Sequence, residues 1–191
     1  MLKKIAMILF VLITASGCAT QSNHMVKVAP ENAITKPEEG KALVHFMRPS
    51  SFGGAIQSTV YDDSNYIGTV SAKTRLAYQA EPGKHMFMVI GENADFLEAE
   101  LLADKIYYIL VSARMGVWKA RFSLNPASGE VPQEQIDNWF NSTSEVVVNE
   151  SGLNWAKEKE KEIESLRSKY LPKWQQKDEE DKQRIKAESG I

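Results

Sequence analysis

The rhythm of apolar and polar positions changes several times along the chain, and each change predicts a different kind of element. Ile5 to Ile13 (IAMILFVLI) is an unbroken apolar run. It follows a short basic start, Met1 to Lys4, and precedes small polar residues from Thr14 to Gly17. That order predicts a secretory signal peptide over residues 1–17. At about 1.5 Å per helical residue the run falls far short of the roughly 30 Å of hydrocarbon in a bilayer, so no membrane span is expected from it. Residues 19–40 are polar, carry Pro30 and Pro37, and show no sustained period. A tether is expected over 18–40, a flexible coil holding the rest of the chain roughly 25 Å from its point of attachment.

From Lys41 to about Asn125, short runs rich in Val, Ile, Tyr and Phe alternate with turn residues, which is the pattern of an all-β domain. Strands are expected at 42–48, 57–63, 66–71, 75–80, 85–90, 95–102, 106–113 and 116–124. DDSN (62–65) reads as the turn of a hairpin. Glu81-Pro82-Gly83-Lys84 suits a type II turn, because Pro fixes φ at its second position and Gly accepts positive φ at its third. In 116–124, Gly116, Trp118, Ala120, Phe122 and Leu124 alternate with Val117, Lys119, Arg121 and Ser123, as in a half-buried antiparallel strand. The expected fold class is mainly β: an antiparallel β-sandwich of about seven or eight strands over 41–130, with a C-terminal α-helical extension.

A connecting segment is expected over 131–149. In it Ile136, Trp139 and Phe140 have helical spacing, and Val146 to Val148 reads as an added edge strand. Residues 150–191 then change composition, with ten basic and ten acidic residues of alternating sign. Trp155, Ile163, Leu166, Tyr170 and Trp174 fall on one helical stripe. A salt-bridge-laced amphipathic helix is expected, kinked or broken by Pro172 near Leu171 and fraying after about Asp178. Its stripe must bury against the chain's own sheet, or else against an envelope partner or a second copy.

Charge and chemistry narrow the function. The formal net charge is −2. Without Lys3 and Lys4 the 23 basic residues fall to 21 against 25 acidic ones, giving −4. Such a balance lacks the electrostatic footprint of a nucleic-acid binder. The three histidines, His24, His45 and His85, lack zinc-ligand spacing, and no metal site is expected. His85 alternates with Phe87 and Val89 and reads as a packed or hydrogen-bonded strand histidine. Ser50 and Ser51 in SSFGG do not form a nucleophile elbow, Asp62-Asp63 lacks the spaced acids of a calcium loop, and no phosphate loop occurs. No catalytic residue, enzymatic activity or cofactor is expected. The rival reading is a hydrolase of cell-envelope polymers. The loop Arg48 to Ala55 (RPSSFGGA) is the candidate binding loop, through Arg48, Ser50, Ser51 and Phe52, because connecting loops often carry binding.

The only cysteine is Cys18. Ala15-Ser16-Gly17-Cys18 resembles the bacterial lipobox, although Ala15 stands where a larger aliphatic residue is usual. The resemblance implies a diacylglycerol thioether on Cys18 and attachment to a membrane by acyl chains, several of which anchor stably where one alone is marginal. Ala19, rather than Asp, follows the cysteine, so an outer-membrane lipoprotein facing the periplasm is expected. Ordinary signal cleavage, giving a soluble secreted protein, is the alternative. Within the β region, KALVHFMRPSSFGGA (41–55), VYDDSNYIGTV (60–70), YQAEPGKHMF (78–87) and KIYYILVSARMG (105–116) resemble the bacterial lipoprotein family called domain of unknown function 2846. The rhythm of Ile67-Gly68 and Pro82-Gly83-Lys84-His85 is also similar to PEGA modules. These resemblances imply an exported, anchored β-domain and no particular activity.

Overall fold

The computed structural model of the protein describes residues 22–115 and 120–191. Cys18, the expected signal peptide and Gly116 to Lys119 lie outside the described residues. The eight expected strands are present, with small shifts at their ends: β2 (Ala42–Arg48), β3 (Ser58–Asp62), β4 (Asn65–Val70), β5 (Thr74–Ala80), β6 (Gly83–Ile90), β7 (Ala94–Leu101), β8 (Ile106–Met115) and β9 (Ala120–Pro126). Three further strands complete the sheets: β1 (Met25–Lys27), β10 (Ser144–Val148) and β11 (Arg184–Ile185). One sheet has the order β1-β10-β5-β2-β8-β9 and the other β11-β7-β6-β3-β4. Two α-helices join them, α1 (Gln133–Asn141) and α2 (Glu150–Gln175).

Alternation along the strands builds the core. Val44 and Phe46 on β2, Ile109 and Val111 on β8, and Phe122 and Leu124 on β9 share one apolar cluster with Val60, Phe87, Val89 and Leu97 of the other sheet. Phe46 and Phe87 meet edge to face, with ring centroids 5.0 Å apart. Each sheet also buries apolar residues on its other face beneath a helix. Met47 and Tyr108 lie under Ile136, Trp139 and Phe140 of α1. Tyr61, Met88, Ile90 and Phe96 lie under Ile163 and Trp174 of α2, flanked by Leu166 and Tyr170. This second covering explains why every residue of β2 is buried instead of every other one.

The pairing is not purely antiparallel as expected. β2 pairs with β8 in parallel, as do β10 with β5 and β11 with β7. The reason is connectivity. After β2 the chain crosses to form β3 and β4, returns as β5, and crosses again for β6 and β7, so β8 re-enters the first sheet running the same way as β2. The segment Glu81 to Lys84 is one of these crossings, and Gly83 takes positive φ (128°) there.

The expected tether is not free over its described part. Met25 is buried, and β1 pairs antiparallel with β10. The Ile34 N–H donates to Glu145 Oε1 at 3.1 Å. Met25 seats at Gly68, where an added Cβ would lie 2.7 Å from Leu76 Cδ2 and 3.1 Å from Met25 Cε. Gly68 of the Ile67-Gly68 pair is therefore a packing requirement. With β1 beside it, β10 lies inside the sheet and not at its edge.

The tail departs from expectation in the same direction. Asn149 caps α2, accepting from the Gly152 N–H at 2.9 Å and donating through Nδ2 to the Asn23 carbonyl at 2.9 Å. Gly152 permits a close crossing, since a Cβ there would lie 2.5 Å from the His24 carbonyl oxygen. Pro172 does not end the helix, which runs on to Gln175. A proline so near the C-terminus removes only the hydrogen bond to the Ser168 carbonyl, and buried Trp174 holds the final turn to the sheet. Nor does the end fray. Ile185 is buried in β11, and Ile191 exchanges backbone hydrogen bonds with Ile106 at 2.9 and 3.1 Å.

Candidate functional site

The candidate loop leaves the end of the two-sheet body at which β2 finishes and β5 begins. Arg48, the last residue of β2, is 0 % exposed. One guanidinium nitrogen donates to the Ile56 carbonyl at 2.6 Å. The other donates to the carbonyls of Phe52 (3.0 Å) and Gly53 (2.8 Å). The guanidinium carbon lies 5.0 Å from the centroid of the Phe122 ring. Burial works against the Arg48 charge, and the carbonyl dipoles and the ring face offset that cost. Arg48 therefore ties its own loop shut and has no free fork to offer a ligand, contrary to the expectation of a flexible loop bearing a binding arginine. Ser50 accepts from the Phe52 N–H at 3.1 Å. Ser50 and Ser51 are exposed, and so are Phe52 (52 %) and Ile56 (41 %). The large side chains that the loop presents to its surroundings are apolar, and Arg48 ties the loop down from beneath.

A groove of about 490 Å³ opens beside this loop, between α2 and the second sheet. Ile56, Ile90, Trp155 and Ile163 give it an apolar floor, and His24 and Lys159 stand among its polar groups. His24 stacks on Trp155 with ring centroids 5.4 Å apart.

At the opposite end of the strands, Tyr78, Asp62 and His85 form a partly buried network that links the sheets. Tyr78 donates to Asp62 Oδ2 at 3.0 Å, and His85 Nδ1 lies 2.7 Å from the same oxygen. His85 Nε2 lies 2.7 Å from the Glu81 carbonyl oxygen. A carbonyl only accepts, so Nε2 donates, and the Asp62 carboxyl facing Nδ1 favours a proton there as well. The hydrogen bond to Asp62 is the main cause raising the His85 pKa above its ordinary value. Neither ring nitrogen is free to act as a base, so the pair fastens the crossing at Pro82 to the end of β3. The hydrogen-bonded strand histidine expected at 85 is present. Its acid partner is hidden in the sequence because Asp62-Asp63 reads as a turn. Only Asp63 turns, at φ 51°, while Asp62 is buried at the end of β3. Asp62 shares the parity of buried Val60, and that is the signal that points inward.

A second polar cluster lies under α1. Arg75 and Glu145 are both buried, with Nη2 to Oε2 at 3.6 Å. The Arg75 guanidinium carbon sits 3.9 Å from the centroid of the Phe140 ring, and Arg75 also donates to the Thr143 carbonyl. Desolvation pushes the Glu145 carboxyl up against the pull of the Ile34 N–H and Arg75. Beside this pair His45 is stacked on Tyr108 and set edge-on to Phe140. Burial, aided by the Arg75 charge, pushes the His45 pKa down to about 3. No spacing in the sequence joins residues so far apart.

The two histidines act on folding with opposite sign. His85, with its pKa raised, contributes stability that is present below pH 6.5 and lost as pH rises through its folded value. His45 stays neutral when folded, so stability is lost as pH falls from 6.5 toward 3, where the unfolded chain takes up a proton that the folded one refuses. At pH 4 this costs about 3 kcal/mol. His45→Leu is therefore expected to lose about 3 kcal/mol less stability between pH 7 and pH 4 than the parent protein, as measured by urea unfolding. Equal losses in the two proteins would contradict a neutral buried His45.

Among the described residues no group of three or more His, Cys, Asp or Glu is placed to hold a metal ion. No helix among them is long and apolar enough to cross a membrane. No protein-family model, curated protein or solved structure matches the chain.

Proposed function

We propose that the protein is an exported lipoprotein, acylated at Cys18 and held on the periplasmic face of the outer membrane, whose β-domain is a non-catalytic binding or assembly module. The observation that carries this reading is the order of the first residues: a basic start, a short apolar run, then Ala15-Ser16-Gly17 before the chain's only cysteine. In the same reading the two sheets form a β-sandwich of the kind implied by the resemblance to domain of unknown function 2846 and to PEGA modules. Support for that architecture comes from the one apolar cluster shared by Val44, Phe46, Phe87 and Val89. Support for binding over catalysis comes from the side chains nearest to a catalytic arrangement. His85 and Asp62 are consumed in fastening a strand crossing, and Arg48 in closing its own loop. The groove beside α2, with Trp155 and Ile90, is the natural place for a ligand or a partner segment.

Cys18→Ser tests the anchor. The variant is expected to leave the membrane fraction, while its melting temperature stays that of the parent, because none of the described core residues is altered. Unchanged partitioning into membranes would defeat the reading.

A further inference from the structure

We infer that the end of the domain bearing Phe52 and Ile56 sits against the lipid headgroups of the membrane that holds the acyl chains, with those two side chains dipping into its interface. This rests on acylation at Cys18 and goes beyond it by fixing which face meets the bilayer. Chain length sets the first constraint. Four residue steps separate Cys18 from Ser22, a reach of at most about 14 Å. Ser22 is fixed to the domain: its N–H donates to Ser71 Oγ at 3.2 Å, and its carbonyl accepts from the Met25 N–H at 3.1 Å. Ser71 lies in the turn from β4 to β5, at the same end as the Arg48 loop. A Cβ on Gly54 of that loop would lie 3.9 Å from the Ala72 Cβ. The leash therefore leaves the body beside the loop, and it is too short to let the opposite end face the membrane.

That end is also built for a lipid surface. Phe52 and Ile56 are about half exposed although both are large and apolar, and Arg48 holds their loop in place from beneath through three carbonyls. The charges near them are mixed: Lys73, Arg114 and Arg121 are exposed at this end, and Lys159, Glu92 and Glu162 stand around the groove that Ile56 lines. Arg114 of β8 lies directly opposite Arg121 of β9, and both are exposed. Two like charges side by side on a ladder disfavour folding, and an anionic headgroup against them would relieve that cost. Lys73 is exposed in the turn after Ser71, and Glu92 is the exposed acid of the β6–β7 turn at this end. Exposed apolar side chains with Lys73, Arg114 and Arg121 at the same end suit an interface of headgroups over acyl chains, the arginines and the lysine facing its anionic members.

The test uses the full chain carrying Phe52→Cys or Leu102→Cys, each labelled with an environment-sensitive fluorophore. Leu102 is exposed at the opposite end, so it serves as the control. An acylated Cys18 has no free thiol, so the label reports one position. In vesicles of phosphatidylethanolamine and phosphatidylglycerol, the label at 52 is expected to brighten severalfold and shift to the blue, while the label at 102 stays as in water. If the protein is acylated and vesicle-bound but the label at 52 remains in water, the orientation is overturned and the anchor stands. If Cys18 takes up label as well, it carries no lipid, and both anchor and orientation fall.

Discussion

Truncation of the protein after Asn149 is expected to abolish cooperative melting. The tail is the second core of the molecule and no appendage to a finished domain. Ile163 and Trp174 are buried on Met88, Ile90 and Phe96. Trp174 also donates through Nε1 to Gln183 at 2.9 Å, and Gln183 donates to Asp95 at 2.7 Å. Asp95 in turn accepts from the Leu124 N–H at 3.2 Å, so the tail is tied to both sheets at one carboxylate. Ile185 closes the second sheet beyond β7, and Ile191 pairs with Ile106 at the start of β8. Each large apolar side chain returned to water costs about 1.5–3 kcal/mol. Several together are comparable with the roughly 5–15 kcal/mol by which domains are stable. The single substitution Trp174→Ala gives a graded version, with an expected loss of about 3–5 kcal/mol in denaturant unfolding. A truncated chain that melts sharply at the parent temperature would show that the tail rests on the domain without supporting it.

The second large effect is expected at Arg48. Arg48→Ala leaves the carbonyls of Phe52, Gly53 and Ile56 without their donor and opens a void beside Phe122. A loss of about 3–5 kcal/mol is expected, by analogy with removing one partner from a buried charged pair. For a chain of this size that is a fall of about 10 °C in melting temperature. Arg48→Lys should recover little of it, because one ammonium on a flexible stem cannot reproduce a fork that reaches carbonyls on both sides of the loop. A melting temperature within about 2 °C of the parent, where surface substitutions fall, would instead mark Arg48 as free for a ligand.

Much of the fold is legible in the sequence because short runs of β-branched and aromatic residues bounded by turn residues are a local property. Ala42 to Arg48, Ser58 to Asp62 and Ala94 to Leu101 follow from their own residues and the turns that bound them. The helical stripe from Trp155 to Trp174 is legible for the same reason. What the chain conceals is pairing at long range. Met25 to Lys27 has no strand signature of its own, and its place in the sheet comes from Val146 to Val148 and from the space at Gly68. Arg184 and Ile185 likewise become a strand only because β7 offers a free edge. Both segments are too short to show a period, and of their apolar side chains the core takes Met25 and Ile185 and leaves Val26 half exposed.

The candidate site shows the same division. The loop at Arg48 is readable from Pro49 and the two glycines after Phe52. Its chemistry is not readable, because an arginine that closes a loop and one that binds a ligand look alike in sequence. Only the three carbonyl partners of Arg48 separate them, and they transfer the outward role from the charge to Phe52 and Ile56.

Lipid on Cys18, holding a rigid domain against a membrane, is the proposal on which the others depend. Intact mass spectrometry of the protein extracted from bacterial membranes tests it most directly. The expected result is a chain that begins at Cys18 and is heavier than its polypeptide by a diacylglycerol and a further acyl group. A soluble protein with a free thiol, or one cleaved elsewhere than before Cys18, would contradict it.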